Sequence, residues 1–148
     1  MQTLLDEREI VRGLGRFARV LDQKEWSALG DVFAADVTFD YGGGNVGAGL
    51  DVLERSIRRF LDACGPTQHL IGSIMVDVSG DEAMSRAYVQ ARHQRRDNPV
   101  GAIFDSSGEY VDRWRRGAEG WRIVRRDANW FLHVGDPGVL ATDNSGLG

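Results

Sequence analysis

From residue 68 onward the repeat of apolar residues along this chain changes from mainly the 3.6 of a helix to the 2 of a strand, and that change limits the fold more than any other feature. Before it, Leu5, Ile10, Leu14, Phe17, Ala18 and Leu21 recur at steps that mark one face of a helix ending near Asp22. The segment "DQKEWSALGDVF" restarts helical spacing at Trp26, Leu29, Val32 and Phe33, with Asp22 and Glu25 placed as an N-cap and its capping-box residue. "VTFDY" alternates and runs into "GGGNVGAG", predicting one strand and a glycine-rich loop. Leu50, Leu53, Ser56, Ile57, Phe60 and Leu61 predict a third helix, stopped by "CGPT".

After the change, "QHLIGSIMVDV", "AMSRAYVQARHQ", "GEYVDRWRR" and "WRIVRRDANWFLHV" read as strands, with tight turns at "SGDE" and "GAEG". Three helices and an early strand followed by a long meander predict an α+β fold, a curved antiparallel sheet with the helices on its concave side and a pocket between them. Residues 1–135 are expected to form one domain, and 136–148, beginning "DPGVL", a tail that is flexible or packed on a neighbour.

A chain of 148 residues, 42% hydrophobic, suffices for one core, and a formal charge of -4 speaks against nucleic acid or an anionic membrane surface as partner. Cys64 is the single cysteine, so no internal disulfide is possible. The N-terminal residues lack the basic-then-apolar layout of a secretory signal and no apolar run approaches a membrane span, so a cytoplasmic protein is expected. Gly42, Gly44 and Gly47 match G-x-G-x-x-G, but an antiparallel meander is not a dinucleotide fold, and no cofactor is expected. His93 and His133 have no metal-ligand spacing to each other or to Cys64 and read as ordinary strand residues.

The order of elements, with "FARVLDQKEWSALGDVFAADVTFDYG", "TQHLIGSIMVDVSGDEAMSRAYVQARH" and "GEYVDRWRRGAEGWRIVRRD", resembles the SnoaL-like branch of the nuclear-transport-factor-2-like (NTF2-like) superfamily over roughly residues 5–135. The resemblance implies a cone-shaped fold and, as in the dehydrochlorinase and bile-acid dehydratase members, a dyad that falls here on Asp22 and His69. An imidazole held by a carboxylate can take a proton from carbon and return it. The bland alternatives are that Asp22 only caps a helix and His69 only opens a strand.

Alternation places Tyr110, Asp112 and Trp114 on one strand face, and the resemblance turns Tyr110 and Asp112 toward the cone. It also places Arg126 at a pocket position where a cation would stabilise developing negative charge, with Arg125 as the equal alternative. Asp40, beside Tyr41, is an alternative base of ketosteroid-isomerase type, although Asp36, Thr38 and Asp40 also read as a solvated face. Phe17, Trp26, Phe39 and Tyr41, with Ile71, Val89, Asp112 and Trp130, are expected to contact substrate. Trp114, Trp121, Trp130 and Phe131 read as core or interface, and an outer face carrying Tyr88, Gln90 and Arg92 suits a homodimer or homotrimer.

The expected function is a cofactor-independent lyase or isomerase acting on a small, mainly apolar molecule. The alternatives are a non-catalytic binding or assembly domain of the same fold, and the Asp40-centred isomerase.

Overall fold

A computed structural model describes residues 1–97 and 100–140. Helix α1 spans Gln2–Gln23, with Ile10, Leu14, Phe17 and Leu21 buried along one face. It ends where Lys24 turns left-handed (φ 55°) and returns its N–H to the Leu21 carbonyl. The second helical segment is a single 3-10 piece, Trp26–Asp31. Strand β1 is Phe33–Asp40 and helix α2 is Leu50–Leu61. Strands β3 (Cys64–Ser79), β4 (Glu82–Arg95), β5 (Ile103–Gly117) and β6 (Gly120–Gly135) make the meander, and a 3-10 turn follows at Pro137–Leu140.

Four local expectations need correction. The glycine-rich loop contains a short strand, β2 (Val46–Ala48), paired antiparallel with β1. "CGPT" opens β3, with Cys64 facing Arg95, while α2 has already ended at Leu61. Asp22 lies in the last turn of α1 and caps nothing: the N-cap of the 3-10 segment is Glu25, and it makes no side-chain cap bond. The sheet, ordered β2-β1-β6-β5-β4-β3, is antiparallel except at one seam, where β1 runs parallel to β6. Such a pair needs a long crossover, which α2 and the first three meander strands supply.

The sheet is curved and unclosed, with α1 packed across β3 and β6. Along β4 and β5 the inward positions alternate with the outward ones: Val89, Ala91 and His93 face in, as do Phe104, Ser106, Tyr110, Asp112 and Trp114. Trp114 and Trp121 are core residues, their indole N–H groups donating to Ser85 and Asp6.

Strand β6 departs from alternation twice. Opposite Arg113/Trp114 the pairing skips Val124, and opposite Ser107/Gly108 it skips Phe131. Each extra residue reverses the facing of everything after it. Trp121 and Ile123 face in, but beyond the first bulge so does Arg126, not Arg125. Beyond the second, His133 faces in, whereas Leu132 and Val134 flank an outer groove. The last described residues belong to the domain body, with Val139 buried and its carbonyl accepting from the Cys64 thiol. Residues 141–148 of the expected tail lie outside the described residues.

Candidate active site

Asp22 and His69 meet although they lie far apart in sequence. His69 Nδ1 is 2.7 Å from Asp22 Oδ1, the His69 backbone N–H donates to Asp22 Oδ2 at 3.0 Å, and the Thr67 hydroxyl donates to Oδ1 at 3.0 Å. A carboxylate at a helix C-terminus is opposed by the helix dipole, so this one is held by donors from β3. Burial alone would raise its pKa, but the ring and backbone bonds of His69, the charge of that ring and the Thr67 bond outweigh it and hold Asp22 below the usual carboxylate range. Since the carboxylate accepts at Nδ1, the neutral His69 ring carries its proton there and its lone pair on Nε2.

Beside the dyad lies a mainly apolar cavity of about 350 Å³, with Leu21, Ile57, Phe60, Phe104 and Trp130 in its wall. His69 does not line it directly. It touches His93, which does, in an edge-to-face contact with ring centroids 5.7 Å apart. His93 Nδ1 donates to the Phe104 carbonyl at 2.8 Å, leaving the lone pair on Nε2, and burial pushes the pKa of this ring down so that it stays neutral. On the neighbouring strand β5, Ser106 Oγ lies 3.2 Å from His133 Nδ1, and both residues line the cavity.

Arg126 and Asp112 form a separate pair. The guanidinium donates from Nε and Nη2 to the two carboxylate oxygens at 2.8 Å each, both side chains are fully buried, and Nη1 donates to the Tyr41 hydroxyl at 3.2 Å. The rings of Tyr110 and Phe17 lie 3.9 and 4.3 Å from the guanidinium carbon. Burial would lower the arginine pKa, but Asp112 and the two tyrosines overcome it, so Arg126 stays charged. Arg125 instead pairs with Asp127, half-exposed on the other face.

Of the residues expected to contact substrate, Tyr41 and Trp130 line the cavity. Phe17, Phe39, Val89 and Asp112 are buried in the core outside its wall, Phe17 and Asp112 in contact with Arg126. Trp26 donates its indole N–H to Asp62, and Ile71 is half-buried further along β3. Asp40 accepts the Gly42 backbone N–H at 2.8 Å, a bond that closes the turn after β1, and is not in the cavity wall. The sequence reading missed His93, Ser106 and His133 as cavity residues. The signal for the first two was present, because alternation from Ala91 reaches His93 and alternation from Tyr110 reaches Ser106. No sequence signal marked the bulge that turns His133 inward.

An uncharacterized protein of Mycobacterium tuberculosis is 28% identical to this chain over 128 residues, 82% of either chain. A solved structure from Kribbella flavida superimposes with a TM-score of 0.85 at 23% identity, covering 93% of this chain and 98% of that one. The "Putative Scytalone Dehydratase" of Novosphingobium aromaticivorans gives 0.82 at 22% identity, over 90% and 89% of the two chains. An NTF2-like superfamily protein of Salmonella enterica gives 0.78 at 18% identity, over 99% of both. These likenesses establish the fold, and the family rests on a model of the SnoaL-like domain that matches residues 2–127. With that match over most of its length, the chain belongs to the SnoaL-like domain family and has the NTF2-like fold.

Proposed function

We propose that this protein is a cofactor-independent lyase of dehydratase type, acting on a small, mainly apolar molecule that carries a hydroxyl one carbon beyond a carbon acidified by a carbonyl. The observation that carries the reading is the Asp22–His69 pair, bonded at 2.7 Å beside an apolar cavity of about 350 Å³. Asp22 fixes the ring and stabilises the imidazolium, and His69 Nε2 takes the carbon-bound proton. Tyr41 fits the role of oxyanion donor better than Tyr110 or Arg126: it lines the cavity, and because its oxygen accepts from Arg126, its own proton is free to point elsewhere. Arg126 then acts from behind, by polarising the phenol. The names of structural neighbours, which include dehydratases, support the same reaction class.

The test uses two probes. Wild-type protein should catalyse deuterium exchange from D2O into the C3 position of 4-phenylbutan-2-one, which reports the base alone, and dehydration of 4-hydroxy-4-phenylbutan-2-one. His69→Ala should lose both by a factor of roughly 10²–10⁴ while keeping its circular dichroism. Full activity in His69→Ala would refute the mechanism, and loss with Asp40→Asn would move the base to Asp40.

A second reading, a non-catalytic binder, is favoured by one observation: His93, in ring contact with His69, lines the cavity, whereas His69 does not. NMR titration of His69 with and without Asp22→Asn separates the two, since an uncoupled pair would favour the binder. A homodimer or homotrimer through the outer sheet face is proposed as well; Tyr88 and Phe131, exposed and in ring contact, lie on it. Sedimentation at micromolar concentration tests it.

A further inference from the structure

The strand register lines up four inward-facing residues in one row across the sheet. His69 on β3 is opposite Ala91 on β4, Ala91 opposite Ser106 on β5, and Ser106 opposite His133 on β6. Neighbouring strands lie about 4.8 Å apart, so the backbones carrying His69 and Ser106 are separated by about 10 Å. Between them stands Ala91, whose methyl group leaves the floor of the cavity open. The row therefore places a proton-accepting ring and a hydroxyl–imidazole pair two strands apart on the same face of the sheet, with only the small Ala91 side chain between them.

Dehydration needs two proton transfers, one from carbon and one to the departing oxygen. His69 is poised for the first, and His93 presents only a lone pair to the cavity. Tyr41 is half-buried, and desolvation raises its pKa, which suits a hydrogen-bond donor and not an acid. His133 differs from all three: it lines the cavity and is also exposed, so it can gain a proton directly from water.

Building on the lyase reading above, we propose that Ser106 and His133 form the acid that protonates the leaving hydroxyl, with His133 recharged from solvent. The C–H bond breaks to His69 Nε2, its electron pair becomes the new C=C bond, and the C–O pair departs on oxygen. That oxygen takes the Ser106 hydroxyl proton as Ser106 Oγ takes the Nδ1 proton of the His133 imidazolium. The sum is a β-hydroxy ketone converted to an unsaturated ketone and water, with one proton gained by His69 and one lost by His133. Exchange with water restores both rings. Ser106 touches the leaving group, and His133 is a positioning and proton-supplying residue that acts through it.

The experiment separates the two halves of the row. Ser106→Ala and His133→Ala should lose dehydration of 4-hydroxy-4-phenylbutan-2-one by roughly a hundredfold and lose far less of the deuterium exchange into 4-phenylbutan-2-one, so that the ratio of the two rates falls at least roughly tenfold. With 4-chloro-4-phenylbutan-2-one, whose leaving group needs no proton, both variants should lose far less than they lose with the alcohol. Added imidazole should restore dehydration to His133→Ala, because that site is open to solvent. Dehydration unchanged in both variants, or exchange and chloride loss falling as far as dehydration, would overturn the proposal while leaving His69 as the base. Absence of exchange in the wild type, or its persistence in His69→Ala, would instead sink the lyase reading.

Discussion

Two acid–base pairs stand on the inner side of this sheet, and they are built on opposite plans. The Asp112–Arg126 pair is saturated: the guanidinium's Nε and Nη2 go to the carboxylate, Nη1 goes to Tyr41, and aromatic rings lie close to its carbon. The Asp22–His69 pair is saturated on the acid side only. Asp22 collects a ring bond, a backbone bond and a hydroxyl bond, while among the described residues the His69 ring has a bond at one nitrogen alone. A buried charge with each of its nitrogens already bonded inside the protein has little left to offer a substrate. A ring fixed at one nitrogen and bare at the other has more.

Mutation should break the comparison along this line. The largest expected effect is Asp112→Ala, which strands a buried guanidinium and should cost about 3–5 kcal/mol in urea unfolding, with the paired change Asp112→Leu and Arg126→Met far milder. Asp22→Asn should cost less, about 1–3 kcal/mol, because the amide keeps one acceptor, yet it should reduce exchange and dehydration strongly. If Asp22→Asn destabilised as much as Asp112→Ala, the distinction between a saturated pair and an open one would fail.

pH supplies a finer probe. Asp22 has a native pKa below its unfolded value, so its contribution is complete above the ordinary carboxylate range and is lost as pH falls through the lowered native pKa. His93 has a native pKa below the ordinary histidine value, so stability falls on acidification from that value down toward the native one. Urea unfolding across pH should therefore show a histidine limb that His93→Gln flattens and a lower carboxylate limb that Asp22→Asn flattens. The smallest effect belongs to Arg125→Ala, whose half-exposed pair with Asp127 should be worth less than about 1 kcal/mol.

Hydrophobic period carried most of the fold. Ile10, Leu14 and Phe17 are buried on α1, and Val89 and Ala91 face in on β4, as spacing alone required. The parallel seam of β1 and β6 was not legible, because alternation says which face a residue takes and nothing about strand direction. Asp22 was ambiguous for a related reason: its short-range pattern with Glu25 imitates a cap, whereas Thr67 and His69 arrive from another strand. The choice between Arg125 and Arg126 rested on Val124, a bulge residue with no marker in the sequence. Once that residue is counted out, period 2 runs correctly again and brings Arg126 inward.

The second bulge, at Phe131, reaches further than the local backbone. It puts His133 in the cavity wall and sends Leu132 and Val134 to the outer groove. Removing that one residue would exchange the assignments, giving an apolar rim inside and an imidazole outside, with no residue of the cavity itself altered. In this fold the reactive inventory of the pocket is thus subject to insertion and deletion as well as substitution: relatives with identical residues along β6 but a different count between Trp130 and the end of the strand would line their cavities with different chemistry.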